Sequence, residues 1–346
     1  MISEYEQRKT WKHTKRHLKK SHRVFRDMLD RRLDQLKPSE KDASRMRALM
    51  GDGPMNGQIR ASDLSAHLRY ALYIAKEVRE LARVSDHLRF YHITLLADEG
   101  FMSERTPKFM KRKLVSRANR AMAKAGLDGI YVIENQVLTG YPAGGKGKSI
   151  LAHVHILAWK PLDAPDSAAA DVRDAITSSK RRRNYGWTSR LGAPPVVVKE
   201  ITPAMGCPSY WIAYLMKMPK DAKNLMPRKP KETGSVGAPK AKLRNTFKGY
   251  RREAAMRLYE LSAQMPLSST AHGRGAGVTM IQRAKVRLRL WDVKRQVVWR
   301  DEGAPGVEPF DERAFWTRMR GKRRSKFKPF VIDGPTIADG STRKRV

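Results

Sequence analysis

The sequence predicts an α+β protein organised around an antiparallel sheet, and three observations predict it. Four segments of strand character, "RFYHITLLADEG", "GIYVIENQVL", "ILAHVHILAW" and "PPVVVKEI", fall in the middle of the chain and alternate with segments of helical period. The second and third are separated only by the turn-rich "TGYPAGGKGKS", which makes them an antiparallel hairpin with a long tip. A hydrophobic fraction of 40% over 346 residues supports a buried core, while the polar excess leaves part of the chain as solvated arm or linker.

In chain order, Trp11, Leu18, Phe25, Leu29, Leu33 and Leu36 recur at sevens and fours in a basic background, which predicts a helix from Lys9 to Leu36 with one narrow apolar stripe. "PSEKDASRMRALMGDGPMNGQ" reads as a turn-rich linker. A second helix follows Ser62 or Asp63 as its cap, with the stripe Leu64, Leu68, Leu72, Ala75, Val78 and Leu81. The first strand has Tyr91, Ile93 and Leu95 alternating with His92, Thr94 and Leu96. A 3.6-residue period predicts a helix from Ser103 to Ala125, stopped at Gly126. After the hairpin come a polar helix around Asp166 to Arg181, the fourth strand, and a helix opened by Pro208 and Ser209. "PKDAKNLMPRKPKETGSVGAPKAK" reads as a flexible arm, followed by a basic helix around Phe247 to Ser262 and the alternating stretch "KVRLRLWDVKRQVVW". The tail clusters "GKRRSKFKPF" and "STRKRV" have the composition of disordered or phosphate-bound segments. The division is a basic helical region at 1–84, a central domain at 85–225, and a basic, partly disordered region at 226–346.

Lys and Arg number 71 against 34 Asp and Glu, a net charge of +37. A surplus of that size repels itself unless a polyanion neutralises it, and nucleic acid is the expected partner. No apolar run approaches the roughly 20 residues of a membrane span, so a membrane is not expected as partner. The first residues, "MISEYEQRKTWKHTKRHLKK", lack the apolar core of a secretory signal, which places the expected site of action in the cytoplasm. The single cysteine, Cys207, excludes an internal disulfide framework and a cysteine zinc site.

Two stretches carry candidate chemistry. In "SILAHVHILAW", strand alternation sends Val154, Ile156 and Ala158 to one face and sets His153 and His155 together on the other. Imidazoles about 6–7 Å apart along a strand can share one divalent metal; the alternative is a hydrogen-bonded pair on a half-exposed strand. In "PSYWIAYLMKMPKD", Tyr210 and Tyr214 lie one helical turn apart, with Lys217 three residues on. Two phenols beside an ammonium can attack a phosphodiester and steady its charge; the alternative is amphipathic packing with hydroxyls at the rim. "GGKGKS" is not a P-loop: Gly147-Lys148-Ser149 supplies the end of that motif, but Pro142 stands where its first glycine belongs and a strand follows.

The ordered set "FYHITLLAD", "HVHILAW" and "YWIAYLMK", within Arg89 to Asp221, resembles the HUH superfamily of single-strand endonucleases, and its order that of rolling-circle replication initiators with a Tyr-x-x-x-Tyr-x-x-Lys motif. The resemblance implies a ferredoxin/RRM-like antiparallel domain, Mg²⁺ or Mn²⁺ on His153 and His155, and Tyr214, Tyr210 and Lys217 as catalytic residues. A third ligand is expected from Glu134 if the hairpin pairs in register, with Gln136 as its alternative and His92 as a further candidate nearby. The implied reaction nicks single-stranded DNA at an origin, leaving a 5′-phosphotyrosine and a free 3′-hydroxyl, and rejoins strands without ATP. Implied partners are single-stranded and origin DNA, with host helicase and polymerase. The rivals are a transposase of the same superfamily and a non-enzymatic basic DNA-binding protein whose histidines are structural.

Overall fold

A computed structural model describes residues 4–53, 58–178, 187, 191–219, 222–227, 241–246, 250–301, 311–320, 327–334 and 336–337. The molecule is a mixed α/β protein with a mostly antiparallel sheet, as the sequence predicts.

The sheet is centred on the predicted hairpin. β1 (Leu88–Leu95) and β4 (Asp128–Tyr141) flank β5 (Gly147–Pro161), both antiparallel to it. β6 (Val196–Glu200) closes one side against β1. Two short strands, β2 (Phe101–Ser103) and β3 (Lys108–Phe109), follow β1, and β2 extends the pairing of β5 near its start. On the other side β7 (Lys223–Pro227) joins β4 in parallel and pairs with β8 (Ala241–Asn245). β9 (Ala271–Arg274) also pairs with β4, so segments from the predicted C-terminal region contribute to the central sheet.

Residues 149–159 of β5 are buried without exception, because both faces of the sheet are covered. Ile150, Ala152, Val154, Ile156 and Ala158 share an apolar core with Leu114, Ala118 and Met122 of α4 (Lys111–Lys124). On the histidine face, Leu157 and Trp159 meet α3 (Leu64–Val84), α6 (Pro208–Leu215) and α8 (Ala276–Asp301). Leu18 of α1 (Glu4–Asp34) joins that second core, while Phe25, Leu29 and Leu33 of the same predicted stripe belong to the first. The cap of α3 is Asp63, which accepts the Ala66 N–H at 2.8 Å.

Four expectations need correction. Part of the predicted linker after Pro38 is α2 (Glu40–Arg47) and a further helical turn to Asp52: Ser39 caps it, and Met46, Leu49 and Met50 repeat at helical spacing and are buried. The predicted flexible arm supplies β7 and β8 at its two ends; residues 228–240 lie outside the described residues. The helix expected from Ser103 starts at Lys111, because the residues before it are taken by β2 and β3. The alternating stretch from Lys285 is helical, part of α8. The remaining helices are α5 (Ala169–Thr177), α7 (Arg252–Ala263) and α9 (Glu312–Arg320), and a parallel pairing of β10 (Val331–Ile332) with β3 completes the described structure. The clusters at 321–326 and 341–346 lie outside the described residues.

A buried imidazole pair ties α1 to α3: His22 Nε2 and His67 Nδ1 are 2.9 Å apart, and His22 Nδ1 donates to the Leu18 carbonyl at 2.8 Å. Burial pushes His22 down to about 4, and burial together with His22 pushes His67 down to about 3. Below the ordinary histidine value the unfolded chain takes up protons that the folded chain refuses, so stability is full above about pH 6.5 and falls as the pH drops toward 4. The expected loss at pH 5 is about 2 kcal/mol per histidine. Urea unfolding at pH 7 and pH 5 measures it, and His67→Gln should reduce the difference by about one histidine's share, the other buried histidines keeping theirs. An unchanged pH dependence in that variant would remove the pair from the account.

Candidate metal centre and its flanking tyrosine

The register of the hairpin builds the centre. Glu134 of β4 stands directly opposite His153 of β5, and Thr94 of β1 opposite His155. Side chains at directly opposed positions share a face, so the carboxylate, both imidazoles and the Thr94 hydroxyl meet on one side of three adjacent strands. Glu134, His153 and His155 are all buried, at 8%, 6% and 5% exposure. The Glu134 Oε2 atom lies 3.3 Å from His153 Nε2 and 2.9 Å from His155 Nε2, and the two Nε2 atoms are 2.9 Å apart.

This donor set could bind a metal ion. Three donors about 3 Å apart match one face of an octahedron whose metal–ligand distance is about 2.1 Å. His155 Nδ1 lies 3.1 Å from the Thr94 hydroxyl oxygen. The Thr94 hydroxyl thereby holds the His155 ring in the orientation that turns Nε2 toward Glu134. Burial holds His155 down at about 4, with the neighbouring His153 adding to the effect. Burial alone would raise the Glu134 carboxyl, but the hydrogen bonds from His153 and His155 outweigh it and hold it well below the usual range. Neutral imidazole beside ionised carboxylate is the protonation state that a metal requires. Two nitrogens and one oxygen suit manganese, iron, cobalt or zinc, and leave magnesium, which takes oxygen ligands, the weaker match.

The triad forms part of the wall of a cavity of about 370 Å³. Gln136, two residues from Glu134 on the same face, also lines it but is not one of the three convergent ligands. His92 stacks on His155 (5.3 Å between ring centroids) and on Trp211 (4.8 Å), with burial pushing it down to about 3. It packs against His155 rather than joining the three convergent donors.

α6 brings Tyr214 to this place. Its ring stands edge-on to His92 and to His155, with centroids 5.3 and 5.9 Å away. Lys217 lies beyond the C-cap Met216, and its Nζ sits 3.5 Å from the centre of the Tyr214 ring, a close cation–π contact. Tyr214 and Lys217 both line the cavity. Tyr210 is not among its lining residues; one turn earlier on α6, its ring packs at 5.7 Å from that of His17 on α1. The structure therefore brings five of the six expected site residues together and leaves Tyr210 aside.

Three contributors went unseen in the sequence. Lys199 on β6 and Lys223 at the start of β7 line the cavity with Lys217, so three lysines face one carboxylate, Glu134. Lys199 sits across from His92 in the β1–β6 register, which no local pattern encodes. Trp211 of α6 gains its place in the site only through its stacking against His92. Comparison with protein-family models, curated proteins and solved structures finds no match. Among the described residues no helix is long and apolar enough to cross a membrane.

Proposed function

We propose that the protein is a metal-assisted tyrosine nuclease and strand transferase acting on single-stranded DNA, of the HUH type that initiates rolling-circle replication. The observation that carries this reading is the position of Tyr214: its ring lies beside ligand His155 and beneath the Lys217 ammonium, on the wall of the cavity that holds Glu134, His153 and His155.

Glu134, His153 and His155 would hold the cation, Mn²⁺ or Mg²⁺. When bound, it supplies Lewis-acid polarisation of the scissile phosphate. The chain's own residues do the rest. Lys199, Lys217 and Lys223 attract a phosphodiester into the cavity and offset its charge there. The Lys217 ammonium over the Tyr214 ring would steady the negative charge that develops on the phenol as it attacks. The phenolic oxygen forms a bond to phosphorus as the bond from phosphorus to the 3′-oxygen breaks. The phenolic proton leaves to water and the 3′-oxygen takes one up, giving a 5′-phosphotyrosine and a free 3′-hydroxyl. The ester bond keeps the energy for rejoining, so no nucleotide hydrolysis is needed. Origin DNA and the host helicase and polymerase are the partners this reading assigns, with the wider positive charge following the DNA backbone.

The test is incubation of the full chain with short single-stranded oligonucleotides and a divalent metal, followed by denaturing electrophoresis. A covalent protein–DNA adduct should form, at least as fast in Mn²⁺ as in Mg²⁺ because two of the three ligands are imidazoles, and EDTA should prevent it. Binding without an adduct, across oligonucleotides of all sequences and each of these metals, would leave a DNA-binding protein with a structural triad.

A further inference from the structure

Helix α8 carries two apolar faces, and the core uses only one. Gly277, Ile281, Ala284 and Leu288 are buried, and the last three of them pack in the core beneath the histidine face. On the opposite side Val286, Leu290, Val293 and Val297 are 55%, 61%, 60% and 43% exposed. Of the ten large apolar side chains exposed among the described residues, six belong to α8. A concentration of that kind on one helix exceeds the scattered surface leucine or valine that calls for no explanation.

The spacing of the exposed residues is four, three, four, the repeat of a coiled-coil seam, so the face is one helix wide. Its flanks decide what fits. Arg287 and Lys294 occupy the positions bordering the seam on one side, and Arg289 lies on the other, with Gln282 and Gln296 in line with it. Arg283, 64% exposed at its side chain, stands in the seam one turn before Val286. Arg287 is already paired with Glu77 of α3 at 2.5 Å, which fixes that flank against the body. α8 itself places no carboxylate beside the seam between Arg283 and Val297; Glu77 of α3, paired with Arg283 and Arg287, stands at its start.

A second copy of the chain is a poor occupant. Laid parallel, Arg289 of one helix would face Lys294 of the other; laid antiparallel, the flank of Arg287 and Lys294 would face its own copy, so wherever charges meet they are cation against cation. The whole-chain charge of +37 adds to that repulsion. We infer that the exposed seam of α8 is a docking site for an acidic amphipathic helix of another protein, which lays aliphatic residues against Val286, Leu290, Val293 and Val297 and carboxylates beside Arg289 and Lys294. The seam is separate from the cavity that holds Tyr214, and the inference does not depend on the proposed reaction.

The probe is a fluorescent synthetic helix of about three heptads, with leucine and isoleucine in its seam and glutamate on both flanks, set against an otherwise identical peptide with lysine flanks. The full chain should bind the acidic peptide and not the basic one. Leu290→Glu should weaken binding about tenfold or more, as loss of a central anchor does. Because Leu290 is solvent-exposed, circular dichroism and thermal unfolding of that variant should match the parent. The double variant Arg289→Glu/Lys294→Glu should reverse the preference toward the basic peptide. Acidic-peptide binding that survives Leu290→Glu would mean a general attraction to positive surface and would overturn the inference. So would a Leu290-dependent dimer in sedimentation, which makes a second copy the occupant, or a loss of DNA affinity in Leu290→Glu, which makes the seam part of the DNA surface.

Discussion

Tyr214→Phe is expected to abolish formation of the covalent DNA adduct. Under the proposed mechanism the phenolic oxygen is the nucleophile; phenylalanine retains the ring that packs against His92 and His155 and removes only the atom that attacks. Stability should change little, and binding of single strands should persist, since affinity comes from distributed lysine and arginine contacts to phosphate. Tyr210→Phe should leave adduct formation and strand transfer as in the parent, because that ring lies against His17 of α1, away from the cavity lining. The measurements are denaturing electrophoresis of the adduct and peptide mapping of the modified residue. DNA recovered on Tyr210, or an undiminished adduct in Tyr214→Phe, would move the nucleophile elsewhere and remove the central support of the proposal. The two-tyrosine expectation thus becomes a one-tyrosine proposal, with the second cut of a replication cycle left to the same phenol after rejoining.

The second large effect concerns the triad. Replacing His153 and His155 together by alanine should eliminate calorimetric Mn²⁺ binding and reduce cleavage by at least two orders of magnitude, about 3 kcal/mol or more of transition-state stabilisation. Glu134→Gln keeps the size of the side chain and removes its charge, so it separates loss of metal from loss of packing. It should lower metal affinity steeply while the sheet stays intact. DNA binding should remain close to the parent's in each case. Full cleavage by the double histidine variant in Mn²⁺ would falsify the site. Thr94→Val makes a milder companion: it removes the oxygen at 3.1 Å from His155 Nδ1, and losing such an orienting partner costs about ten- to a hundredfold in metal affinity.

How much of this was legible in the sequence depends on the range over which each feature is determined. The period-2 alternation of "HVHILAW" places both imidazoles on one face without any knowledge of the neighbours, because adjacent side chains of a strand point oppositely. Glu134 was legible conditionally, since a hairpin with one register sets it opposite His153, and that register is the one adopted. The helical spacing of Tyr210 and Tyr214 was also legible, but it says only that they share a helix face. Along α6 they are separated by about 6 Å, and the end of the helix at Leu215 is what reaches the cavity. Which end reaches it follows from how the helix sits on the sheet and against α1, information that no local spacing holds. Periodicity misled at α8 for a related reason. Val286, Leu288 and Leu290 alternate as in a strand, yet a helix apolar on two sides has the same sequence, with Leu288 in the core and its neighbours outside.

The sequence by itself determined the strand–helix alternation of the middle of the chain, the positive charge, the absence of a cysteine metal site, and the residue types that could hold a metal ion. These are local or additive properties, readable from period, count and spacing. Tertiary structure alone decided that Lys199 and Lys223 join Lys217 around one carboxylate, that Tyr214 rather than Tyr210 faces the triad, and that among the described residues one apolar side of α8 is exposed. Each of these depends on strand register or helix placement across more than twenty residues of chain, and both are set by which apolar faces can be buried together.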